Sequence, residues 1–127
     1  MKDSELADGA YVAPIVMEGM NSDSAVYSEE FFGPVFNLFK VDSSKEAIDL
    51  ANKSDYGLSG AIWSKDTEKA EACAQRLRVG NAFVNTFTAL GSDHPSGGIK
   101  DSGYGRECYS DGLLDMGNRK TIIRKPA

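Results

Sequence analysis

An α/β fold with a mostly parallel sheet is what this sequence predicts, and two observations carry that prediction. Segments rich in branched and aromatic residues alternate with segments whose apolar residues recur at helical spacing. Turn-forming residues mark most of the boundaries between them. The predicted order is β, β-α-β-α-β, a long loop, α, β.

The first strand is predicted over Tyr11–Met17, and Pro14 within it suggests an edge position or a bulge. Asn21 to Ser24 is polar and reads as loop. Pro34–Val41 is strongly β-prone, with the proline tolerated at its first position. Ser43 and Glu46 have the spacing of a capping box, so a helix is expected from Ser44 to Lys53 with Ala47, Ile48, Leu50 and Ala51 on its apolar side. Asp55–Gly57 reads as a turn and Ser59–Trp63 as a short strand. Asp66 should cap a second helix over Thr67–Arg78, whose Ala70, Cys73, Ala74 and Leu77 fall on one face. Gly80 is expected to stop that helix before a strand over Asn81–Asn85. Thr86 to Ser102 shows no period. A third helix is expected over Arg106–Met116 and a last strand over Lys120–Arg124.

The chain has 127 residues, a size that suits one domain. A net charge of −5 argues against nucleic acid or an anionic membrane surface as the main partner. No apolar run reaches the roughly 20 residues of a membrane span, and MKDSELADG lacks the apolar core of a secretory signal, so a cytoplasmic location is expected. The two cysteines, Cys73 and Cys108, are 35 positions apart, a spacing that fits neither a zinc motif nor a disulfide scaffold. Cys73 lies on the predicted core stripe. The one histidine, His94, has no metal-ligand partners at a recognisable spacing, so no metal site is expected.

Two stretches carry unusual chemistry. Pro95–Glu107 reads PSGGIKDSGYGRE and holds four glycines, Lys100 and Arg106. It looks like a phosphate cradle but fails both nucleotide patterns. Tyr104 and Gly105 stand where a P-loop needs Lys and Ser or Thr, and Cys108 stands where a dinucleotide fingerprint needs its last glycine. The other stretch is Glu29–Val35, EEFFGPV, where carboxylates adjoin aromatic rings. That pairing suits a ligand with hydroxyls to donate and a flat ring to stack.

EEFFGPV, YGLSGAIWSKD (Tyr56–Asp66), RLRVGNAFVN (Arg76–Asn85) and PSGGIKDSGYGRE, in that order and at those intervals, resemble the C-terminal quarter of the aldehyde dehydrogenase superfamily. Succinate-semialdehyde dehydrogenase-like members are among the nearer resemblances. The resemblance spans Gly9 to Lys125 and implies the C-terminal portion of that family's catalytic domain, residues 1–117, with a tail strand for subunit pairing over 118–127. It further implies NAD(P)-dependent oxidation of an aldehyde to a carboxylic acid, with Glu30 on the nicotinamide ribose hydroxyls and Phe32 beside the nicotinamide ring. By the same resemblance Asn85, Leu90 and Ser96 line the aldehyde channel, and the glycine loop is a tunnel-rim turn rather than a pyrophosphate site.

This sequence departs from the family in reading PSGG where an aromatic usually follows the proline, and Leu90 is apolar where carboxylate-binding relatives offer a hydroxyl. The family's nucleophilic cysteine, general-base glutamate and cofactor domain lie upstream of EEFFGPV and are not in this sequence. No catalytic residue and no cofactor bound by the chain alone are therefore expected. The expected partners are the remainder of a subunit or a second copy. The alternative is a stand-alone, non-catalytic module that pairs with itself or with an intact aldehyde dehydrogenase subunit.

Overall fold

The computed structural model describes residues 9–21, 23–87 and 91–126. The chain divides into two units, residues up to Glu46 and Ala47 onward. The fold is mixed α/β, as expected. Among the described residues the strands form three two-stranded pairs, two of them parallel, in place of one continuous sheet.

In the first unit, β1 (Ile15–Glu18) runs parallel to β2 (Val35–Leu38), with Ile15 opposite Val35 and Glu18 opposite Leu38. Parallel strands need a crossover, and it contains a one-turn helix, α1 (Ala25–Ser28), beyond the expected Asn21–Ser24 loop. Both strands are shorter than their β-prone runs. Tyr27 of α1 meets Phe39 edge-on at 5.4 Å. Burial there holds the Tyr27 phenol above its ordinary pKa. A raised folded-state pKa means that the neutral phenol is favoured in the fold. Its contribution is therefore complete below the unfolded pKa and lost as pH rises through the folded one. The urea midpoint should fall between about pH 9 and pH 11 in the parent chain, and Tyr27→Phe should flatten that fall. An unchanged alkaline slope in Tyr27→Phe would contradict this.

The helix α2 (Ser44–Asn52) begins as its spacing predicts. The Ser43 hydroxyl accepts from Glu46 N at 3.1 Å, and the Glu46 carboxylate accepts from Asp42 N at 2.9 Å. Of its predicted apolar stripe Ile48 is buried, Ala47 and Leu50 are half-buried, and Ala51 is exposed.

In the second unit, β4 (Ser59–Ile62), α3 (Thr67–Ala74) and β5 (Asn81–Val84) form a βαβ crossover with the strands parallel, Ser59 opposite Asn81. The Asp66 carboxylate caps α3 by accepting from Lys69 N at 3.0 Å. Ala70, Cys73 and Ala74 are buried on the helix face that packs over the two strands. The helix ends at Ala74, earlier than Arg78, because its end tightens into i→i+3 bonds from Arg76 N and Leu77 N. The Asn52 side chain then takes over, donating to Arg76 O at 2.9 Å and accepting from Arg78 N at 2.7 Å.

Gly80 is therefore not the helix stop. A Cβ there would collide with the carbonyl of Gly97, so Gly80 is needed for close backbone approach. Tyr56–Gly57, expected as a turn, forms β3 and pairs antiparallel with β6 (Ile99–Lys100) inside the stretch that shows no period.

The last helix, α4 (Tyr109–Asp115), is shorter than the expected Arg106–Met116. Glu107 is held extended by an antiparallel bridge to Ser96, and Cys108 sits at φ 60°, ψ 173°, outside any helical region. From Asn118 to Pro126 no strand forms. Lys120–Arg124 pairs with no strand among the described residues, and Ile122 and Ile123 are exposed.

Candidate active-site segments

EEFFGPV follows α1 directly, with Glu29 as the helix C-cap in an extended conformation. Two three-residue turns shape the rest, Gly33 N donating to Phe31 O at 2.9 Å and Val35 N to Gly33 O at 2.8 Å. Pro34 O accepts from Ile15 N at 2.9 Å, which ties the turn to the start of β1. The result lifts the side chains away from the chain. Glu30 is exposed, and Phe32 is 98% exposed. A carboxylate only accepts hydrogen bonds and offers two oxygens, which suits the adjacent hydroxyls of a ribose. An open phenyl face beside it suits a flat heterocycle.

Asn85 directly follows β5 with φ 53°, in left-handed backbone that asparagine tolerates. Its amide closes on one residue, the carbonyl oxygen accepting from Ser64 N and the NH2 group donating to Ser64 O, both at 2.8 Å. That clasp joins the carboxyl ends of β4 and β5. A small molecule would meet only the remaining N–H and lone pair.

Ser96 lies at the other end of β5. Its backbone exchanges hydrogen bonds with Glu107, and its hydroxyl faces Asn81 Nδ2 at 3.5 Å. Asn81, its neighbour, is roughly 13 Å along the strand from Asn85. Ser96 also lines an open cavity of about 400 Å³ with Gly98, Tyr104, Arg106 and Asp115. Leu90 lies outside the described residues. Glu30 and Phe32 belong to the first unit, Asn85 and Ser96 to the second.

In the glycine loop Arg106 and Lys100 are turned onto the chain itself. Arg106 Nη1 donates to Gly98 O at 2.9 Å and to Gly105 O at 2.8 Å, bracing the loop from within. The Lys100 ammonium donates to Asn52 O, Ser54 O and Tyr56 O. The Ser102 hydroxyl accepts from Gly57 N at 2.9 Å. Lys100 and Arg106, which could serve a phosphate, hold backbone carbonyls instead, and Ser102 holds a backbone N–H.

Nothing in motif spacing points to these contacts. Cys73 is buried and Cys108 exposed, both free thiols. Among the described residues no group of His, Cys, Asp or Glu could hold a metal, and no helix is long and apolar enough to cross a membrane.

The chain and its fold have clear counterparts. Residues 1–122 match the family model described as "Aldehyde dehydrogenase family". The betaine aldehyde dehydrogenase of Bacillus subtilis is 43% identical over 99% of this chain, a match covering 26% of that protein. The NADP(+) succinate-semialdehyde dehydrogenase of Deinococcus radiodurans is 43% identical over 93% of the chain and 25% of its own length. A crystal structure of Staphylococcus aureus betaine aldehyde dehydrogenase in complex with NAD+ superposes with a TM-score of 0.84, at 38% identity, over 91% of this chain and 23% of that one. The chain thus spans about a quarter of the length of the curated relatives it matches. It belongs to the aldehyde dehydrogenase family.

Proposed function

We propose that the chain is the C-terminal part of an NAD(P)-dependent aldehyde dehydrogenase that oxidises an aldehyde to a carboxylic acid, and that it is inactive alone. The observation that carries this reading is the open Glu30–Phe32 turn in a chain equivalent to a quarter of a nucleotide-binding relative. The residues fit the group: Glu30 accepts from the nicotinamide ribose hydroxyls and fixes their orientation, and Phe32 shields one edge of the ring from water. The cofactor, when bound, supplies the hydride acceptor. Asn85, Leu90 and Ser96 line the aldehyde channel. Serine at position 96, in place of a ring, makes the channel mouth wider and wetter.

The attacking thiolate and the general base come from the remainder of the subunit, which is the partner this chain requires. Residues 118–127 pair with a neighbouring subunit, a role supported by the unpaired, exposed Ile122 and Ile123. A cytoplasmic setting is supported by the two free thiols.

The test is reconstitution. This chain is produced together with the complementary three quarters of the Bacillus subtilis relative, and NADH formation is followed. Activity should need both pieces. Glu30→Gln should then raise KM for NAD about tenfold, since a charge-assisted acceptor becomes a neutral one. Turnover by this chain alone, or an unaltered KM in Glu30→Gln, would contradict the assignment.

A further inference from the structure

Lys100 stands in left-handed backbone, φ 55°, within the second unit. Its ammonium donates to Ser54 O at 2.7 Å, Asn52 O at 3.1 Å and Tyr56 O at 3.4 Å. These three carbonyls come from the end of α2 and the chain that runs on into β3. No basic side chain lies within the last turn of α2; Lys53 follows it directly, and the Lys100 ammonium adds positive charge from a distant part of the chain at the helix's negative end. Lys100 also pairs across the ladder with Tyr56, so its side chain and its backbone grip the same junction.

We infer that the α2–β3 junction is a carbonyl site for a monovalent cation, that Lys100 fills it as a tethered ammonium, and that Lys100 is the positioning residue of the glycine loop. Three converging carbonyl oxygens match the three N–H donors of an ammonium group. They match a planar guanidinium poorly, because its donors lie in one plane. Bare potassium or free ammonium supplies the same charge to the same oxygens. The loop's place at the tunnel rim rests on the function proposed above, whereas the carbonyl site depends only on the geometry of the second unit.

The test uses the full chain with Lys100→Ala in tetramethylammonium, lithium, potassium or ammonium chloride at equal ionic strength. In tetramethylammonium, too large for the site, the thermal midpoint should drop by about 5–10 °C. Potassium or ammonium should recover at least half of that drop, and Lys100→Arg should not match the parent chain. Equal midpoints in all four salts, or a variant unfolded in every one, would overturn the site. A second measurement needs no variant. In the parent chain labelled with 15N-lysine, Lys100 should give a slowly exchanging Nζ proton signal, and a rapidly averaged one would overturn the assignment. Both readouts are independent of NAD turnover, so this inference and the proposed function can fail separately.

Discussion

Gly80→Ala should abolish the cooperative unfolding of the second unit. The added methyl would fall on the carbonyl of Gly97 and within 3.3 Å of Gly98 Cα, so the obstacle is backbone that no rotamer change can move aside. Gly80 also begins the run into β5, with its N–H on Gly57 O at 3.0 Å. Relief would require pulling β5 and the glycine loop apart. A cost of about 4 kcal/mol or more is expected, a large part of the roughly 5–15 kcal/mol that holds a domain together. Gly33→Ala is the control: nothing lies within 4 Å of its added Cβ. It should stay within about 0.5 kcal/mol of the parent in urea unfolding. Equal stability of the two variants would show that the approach of residues 80 and 97 is not tight.

Cys108→Gly should stabilise the chain. Cys108 has φ 60° and ψ 173°, a region essentially reserved for glycine, and Tyr109 follows at φ 53°. Strain of about 1–3 kcal/mol is stored at such a residue. The side chain is exposed, so little packing is lost. The extra freedom of glycine in the unfolded chain takes back about 0.5–1 kcal/mol. A net gain of about 1 kcal/mol, within a range of roughly 0–2.5, remains, read as a higher urea midpoint with an unchanged slope. Cys108→Ser keeps the strained backbone while removing the thiol and should show no such gain. A serine variant as stable as the glycine variant would place the effect in the sulfur and not in the backbone.

What was legible in the sequence was local. Asp66 and the Ala70, Cys73, Ala74 stripe announce α3, and Ser43 with Glu46 announces α2, because caps and helical periods act within a few residues. β4 and β5 follow from their flanking helix. The expectations that failed turn on contacts between distant residues. Gly80 looks like a helix terminator until Gly97 is found against it. The pair Tyr56 and Lys100, which makes β3 and β6, leaves no local period to read. The strand expected at Lys120–Arg124 is a different case, since its expected neighbour belongs to a second subunit; within the single chain it pairs with no strand among the described residues.

The candidate site divides in the same way. The carboxylate and ring types in EEFFGPV are what point, in the sequence, to a ligand with hydroxyls and a flat ring, and the structure adds that Glu30 and Phe32 are exposed. The clasp of Asn85 on Ser64 and the capture of three carbonyls by Lys100 depend on side-chain directions that spacing does not encode.

Calorimetric titration of NAD tests most directly the claim that the chain carries one side of a cofactor cleft. On the proposed assignment the chain alone should give no binding heat, because Glu30 and Phe32 would offer a ribose and a ring contact without a dinucleotide platform. Mixed with the complementary part of a relative, it should bind NAD, and Glu30→Gln should weaken that binding about tenfold. Micromolar binding by the chain alone would contradict the account.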